Sequence, residues 1–112
     1  MGGASAFVKN LDATFSEWLG KPKSEFYAQL PDHTGNVGQF SMANEPSLHI
    51  PYLYNYAQTP WKTQQRIRSL VHQWFRNDLM GVPGDEDGGG LSSFVVFSMM
   101  GFYPVTPGLP VY

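Results

Sequence analysis

Two stretches of the sequence gather side chains able to do chemistry. One is Asn44-Glu45-Pro46-Ser47, with His49 close behind. The other is Gly84-Asp85-Glu86-Asp87-Gly88-Gly89-Gly90, three consecutive acids hedged by glycines. Carboxylates on loops held by rigid elements suit acid–base work. Three adjacent acids repel one another, so a cation, a hydrogen-bond network or plain solvation must offset that repulsion. A solvated acidic turn is the simplest alternative for Asp85-Glu86-Asp87. An EF-hand register fails: with Asp85 in the first position, Gly89 takes the fifth and Val96 the twelfth. A phosphate loop fails as well, because no Gly-Lys-Ser/Thr follows the glycines. His33, His49 and His72 form no i, i+4 zinc pair, and no Gly-x-Ser-x-Gly elbow supports a serine hydrolase. Cysteine is absent, which removes thiolate metal sites, disulfides and cysteine nucleophiles together. Trp61 is the better candidate to stack on a sugar, whereas the spacing of Trp74 places it in a core.

The elements that must carry these loops read mainly as helices. From Ser5 to Leu19 the apolar residues Phe7, Val8, Leu11, Phe15, Trp18 and Leu19 recur at threes and fours, with a stop at Gly20 and Pro22. Leu48 to Gln58 reads as a short helix with Pro51 in its first turn. Thr59-Pro60 then starts a longer helix, whose Ile67, Leu70, Val71, Trp74 and Phe75 make one stripe. Leu91 to Met100 is apolar nearly all round, which suits a helix buried on most sides, with a strand as the alternative because Phe94-Val95-Val96-Phe97 favours β structure. Gly101 ends it in either case, and 102–107 is extended before Pro104 and Pro107. Between the first two helices, residues 21–47 keep no period and carry Phe26, Tyr27, Phe40 and Met42 as apolar anchors of an ordered functional loop.

Composition narrows the class. The chain has 112 residues, the size of one small domain or less. Few charges (14%) and many rings (15%) exclude disorder, and a net charge of −2 gives no footprint for nucleic acid. No apolar run is long enough to span a membrane, and no basic-then-apolar secretory leader is visible.

Four segments in order carry a resemblance. They are Asn44-Glu45-Pro46-Ser47-Leu48-His49-Ile50-Pro51-Tyr52-Leu53-Tyr54-Asn55-Tyr56, Pro60-Trp61-Lys62-Thr63-Gln64, Gly84-Asp85-Glu86-Asp87-Gly88-Gly89 and Phe97-Ser98-Met99-Met100-Gly101-Phe102-Tyr103-Pro104-Val105. Together they closely resemble the C-terminal part of glycoside hydrolase family 92, from Gly2 through Pro107. The resemblance implies a calcium-dependent, inverting exo-α-mannosidase acting on mannose-containing glycans. It also implies a fold built from an N-terminal β-sandwich and a large (α/α)6 barrel. Residues 1–112 would then be not a complete domain but a mainly α fragment of that barrel: helical hairpins, long site loops and a short C-terminal strand.

On that resemblance, Asp85 and Asp87 are equal candidates for the general base. Residues two apart in an extended turn point the same way, so one could hold the attacking water while the other orients it, with Glu86 turned elsewhere. Inverting enzymes place their two carboxyl groups roughly 6.5–9.5 Å apart. The family's general acid lies upstream in a Glu-Gly-Asn-type motif that has no match here, and Glu45 does not take its place. Glu45 and Asn44 are assigned to Ca2+, and Asn44 and His49 to the sugar. Two further readings stay open: a non-catalytic carbohydrate-binding or interaction fragment, and another α/α-barrel glycosidase with a different sugar preference. The expected partner is the missing N-terminal part of the same enzyme, or a second copy by self-association, because unpaired helices leave apolar faces uncovered. An extracellular or periplasmic location follows from the resemblance alone.

Overall fold

The computed structural model describes residues 2–25 and 34–112. Phe26, Tyr27 and His33 lie outside the described residues. Helix α1 is Gly3–Thr14, α2 is Pro60–Trp74 and α3 is Gly90–Met100, with a 3₁₀ helix at Ile50–Ala57 and shorter 3₁₀ turns at Glu45–Ser47 and Asp87–Gly89. Strands β1 (Asn36–Val37) and β2 (Phe40–Ser41) pair antiparallel, Asn36 opposite Ser41 and Val37 opposite Phe40.

Helix α1 stops about a turn short of the expected Leu19, and the reason lies in its last carbonyls. The Thr14 hydroxyl donates back to Asn10 O (3.2 Å) and the Ser16 hydroxyl to Asp12 O (3.2 Å). Gln39 N donates to Thr14 O at 2.8 Å, so the β1–β2 turn takes over where the helix ends. Gly38 makes that docking possible: its φ is +60°, and a Cβ there would sit 2.5 Å from Phe15 C. Trp18, counted as part of the apolar stripe, is 70% exposed beyond the helix end.

The short helix expected after Leu48 forms as a 3₁₀ helix over Ile50–Ala57. Its buried residues include Pro51, Tyr54 and Ala57, a repeat of three that matches three residues per turn. It ends at Gln58 in a left-handed conformation (φ 58°), where Thr59 N and the Thr59 hydroxyl both donate to Tyr54 O at 3.0 Å. Helix α2 follows as the spacing predicts, burying Thr63, Ile67 and Leu70. The Thr63 hydroxyl donates to Asn55 Oδ1 at 2.9 Å and clamps the two helices into a hairpin.

Leu91–Met100 resolves to a helix, not a strand. The expected burial on most sides does not hold within this chain. Leu91 and Phe94 are fully buried, but Val96, Met99 and Met100 stand in solvent. The expected C-terminal strand is also absent: among the described residues, 102–112 form turns and bends only, and the two short strands lie in the first loop instead. Pro104, Pro107 and Pro110 each withhold a backbone donor from any ladder there.

The core joins Leu11 and Phe15 of α1, Phe40 and Met42 of the hairpin, Tyr52 and Tyr54, Ile67 and Leu70, and Leu91 and Phe94. A polar tie crosses it. The buried Tyr54 donates its hydroxyl to Asp12 Oδ1 at 2.8 Å, and Lys62 Nζ pairs with Asp12 Oδ2. Burial and the Asp12 carboxylate push the Tyr54 phenol up to about 12. A raised folded-state pKa contributes stability that is intact below the unfolded value and is lost as pH rises through the folded one. The urea midpoint is therefore expected to fall between pH 10 and about 12. Tyr54→Phe should flatten that fall, and an unchanged alkaline slope in the variant would refute the assignment.

Candidate functional site

Loop 84–90 lies directly against 43–45, and two glycines permit the approach. A Cβ on Gly84 would lie 2.6 Å from Ala43 O. A Cβ on Gly90 would lie 2.8 Å from Glu45 Cγ and 3.1 Å from Glu45 Oε1. Any other residue at either position would push the acidic loop away from the Asn-Glu-Pro turn. The loop is pinned at its other face as well, where the Thr34 hydroxyl donates to Pro83 O at 2.9 Å.

The approach sets Glu45 near the acidic loop, where Asp87 and Glu86 both act on its carboxyl. Glu45 Oε1 is buried and has no hydrogen-bond partner. Burial first, then the neighbouring carboxylates of Asp87 and Glu86, hold the Glu45 carboxyl above the usual carboxylate range, against the lowering effect of its own backbone N–H. Tyr103 completes this corner: burial first, then the charge of Glu45, raises its phenol pKa. The Tyr103 ring is fixed by stacking on Tyr52 (centroids 4.9 Å apart, 12° between planes) and by the edge of Phe94 at 5.6 Å.

The acidic trio is not the extended turn expected from sequence. Asp87 begins a 3₁₀ turn with φ 45°, so the simple two-apart rule does not apply to it and Asp85. Glu86 is turned elsewhere, as expected, and its partner gives the reason. Its carboxylate accepts from Ser92 N (3.0 Å) and from the Ser92 hydroxyl (2.9 Å), capping the first turn of α3. Asp85 is exposed two residues earlier. Asn44 is half-buried in extended backbone just before the Glu45 turn, and its carbonyl accepts from Ser47 N at 3.0 Å. His49 is exposed at the start of the 3₁₀ helix.

The structure thus unites Glu45 with Asp87, with Glu86 nearby. Sequence reasoning had kept Glu45 and the acidic trio in separate loops and had missed Tyr103. The signal for Tyr103 was its place two residues after Gly101, where a stopped helix turns the chain back over its own face. Among the described residues no group of three or more His, Cys, Asp or Glu side chains is placed to hold a metal ion. A carboxyl pair with one orphaned, buried oxygen is nonetheless a donor set that fits a hard cation, whose remaining ligands would be carbonyls, waters or groups outside this chain.

The helical framework sets two loops bearing carboxyl groups against each other, and comparison gives the class of the protein. Residues 1–112 match, over their whole length, the glycosyl hydrolase family 92 catalytic domain. The chain belongs to glycosyl hydrolase family 92. It is 37% identical over 106 residues to an uncharacterized secreted glycosidase of Arthroderma benhamiae, covering 95% of this chain and 13% of that protein. It also superposes on a family 92 α-mannosidase of Bacteroides thetaiotaomicron in complex with mannoimidazole, with a TM-score of 0.80 and 36% identity. That match covers 94% of this chain and 13% of the other. A second structure of the same enzyme gives a TM-score of 0.76 at 37% identity. The chain therefore spans about an eighth of the length of the relatives it matches.

Proposed function

We propose that these residues form the C-terminal part of the catalytic domain of an inverting, calcium-dependent exo-α-mannosidase, acting on mannose-containing glycans outside the cytoplasm. The observation that carries the reading is the convergence of two motifs about forty residues apart in sequence, where Gly84 and Gly90 let the acidic loop settle against the half-buried Glu45, with Asp87 exposed beside it. The family membership, the mannosidase neighbour and the secreted relative support substrate class and location.

Asp85 or Asp87 takes the proton of the water that attacks the anomeric carbon, and its neighbour orients that water. The general acid comes from another part of the polypeptide. Asn44 and His49 contact the sugar; Glu45 and Asn44 hold the cation, with Asp87 facing the same point. Bound there, Ca2+ would supply positive charge and oxygen coordination to hydroxyl groups of the sugar. Tyr103, held by the edge of Phe94, stands within reach of the Glu45 charge.

In a full-length family 92 protein carrying this segment, α-mannoside hydrolysis should disappear with a chelator and return with Ca2+. The same ion should raise the melting temperature, because it binds the folded state alone. Glu45→Gln should abolish the thermal shift. A calcium shift of the same size in that variant would remove Glu45 from the metal site.

The second reading, binding without turnover, is favoured for residues 1–112 by themselves, since the acid motif has no match among them. Calorimetry with mannose, in the presence and absence of Ca2+, measures that binding. Hydrolysis by the 112 residues alone would refute the claim that the acid lies elsewhere.

A further inference from the structure

Loop 75–81, between α2 and the acidic loop, holds two large apolar side chains in water: Leu79 is 104% and Met80 72% exposed. The loop is nevertheless tightly closed. Arg76 N donates to Gly81 O at 3.0 Å, and Met80 N donates to Asp78 Oδ1 at 2.8 Å. Arg76 Nη2 donates to Met80 O at 3.3 Å, and Arg76 Nε pairs with Asp78 Oδ2 at 3.4 Å. The two charges in the loop, Arg76 and Asp78, pair with each other, and Leu79 and Met80 project as its apolar tip beside them. Ordering a loop opposes folding entropically, and exposing a leucine and a methionine at its tip gains nothing from water. Such a loop is preorganised for an apolar socket.

We propose that the Leu79-Met80 tip is a fixed plug seated in an apolar socket of the same polypeptide, built by the part of the family 92 protein outside residues 1–112. The occupant is argued from length: the solved relative that superposes on 94% of this chain has only 13% of its residues in the match. The inference rests on the proposed reading of residues 1–112 as part of a larger catalytic domain.

The test uses the full-length protein with a benzophenone amino acid in place of Leu79. Irradiation and peptide mapping are expected to give one intramolecular cross-link, to a peptide outside residues 1–112, at the molecular mass of a single chain. A cross-link to a second copy, visible as a doubled mass, would overturn the proposal, and so would failure to cross-link to protein at all. Leu79→Asp is expected to lower the melting temperature of the same protein by several degrees while Leu79→Met leaves it within a degree; equal melting temperatures would also count against the plug. The readout does not depend on turnover. A protein that cross-links as expected but cleaves no mannoside keeps the plug and loses the mannosidase reading.

Discussion

Asp87→Asn in a full-length protein carrying this segment is expected to lower kcat for α-mannosides by about 10²–10⁴-fold, with a much smaller change in KM. Asp85→Asn is expected to lie in the same range. A positioned base acts on the water only in the transition state, so its loss falls on kcat. Azide separates the two candidates. In an inverting enzyme the alanine variant of the base leaves room for a nucleophile that needs no deprotonation, so azide restores turnover and yields a glycosyl azide of inverted configuration. The alanine variant of the orienting residue should not respond in this way. Undiminished rates in both asparagine variants would remove the acidic trio from the chemistry.

Glu45 should behave differently from either aspartate. Its carboxyl is held up by burial and by Asp87 and Glu86, and one of its oxygens has no hydrogen-bond partner. On the proposed reading the corner receives a cation and Glu45 transfers no proton, so Glu45→Gln should act on calcium dependence before kcat. Gly90→Ala tests the same geometry without touching a carboxylate. Its Cβ would meet Glu45 Cγ at 2.8 Å, so activity should fall while the backbone of α3, where Gly90 has ordinary helical angles, persists.

What could be read from the sequence follows from how much each feature depends on distant contacts. Helix α2 was legible because its stripe and its Thr59-Pro60 start are local. The β1–β2 hairpin was not legible, since two residues per strand leave no alternation to detect. A short helix was legible over Leu48–Gln58, but its 3₁₀ form was not, because Tyr52 and Leu53 blur a repeat of three whose meaning appears only with burial at 51, 54 and 57. The polar residues of the site were all on the page as types, yet their union was not. Nothing in the spacing of Glu45 and Asp87 says that Gly84 and Gly90 let one loop settle on the other. The exposed face of α3 was misread for a related reason. Apolar residues all round a helix call for cover on every side, but they do not say where it comes from, and Val96, Met99 and Met100 find none among the described residues.

Phe94→Ala is expected to destabilise the fold by about 3–5 kcal/mol, the range for a fully buried phenylalanine whose cavity cannot collapse. Phe94 is 0% exposed and meets three rings at once: Phe75 at 6.1 Å, Tyr103 at 5.6 Å and Tyr52 at 6.4 Å. Those rings belong to the end of α2, the segment after α3 and the 3₁₀ helix, so no one of them can move in without leaving another partner. A urea titration of a full-length protein carrying this segment should show a lower midpoint with an unchanged slope. A loss below about 1 kcal/mol would mean that this cluster relaxes freely and is not the fold's keystone. The consequence reaches the site through Tyr103. Its ring leans on Phe94 and Tyr52 and forms the wall against Glu45. Phe94→Leu, which keeps most of the volume, should recover most of the stability but return less of the activity, because a leucine offers Tyr103 no ring edge to lean on. Full recovery of both by leucine would show that volume alone holds the wall in place.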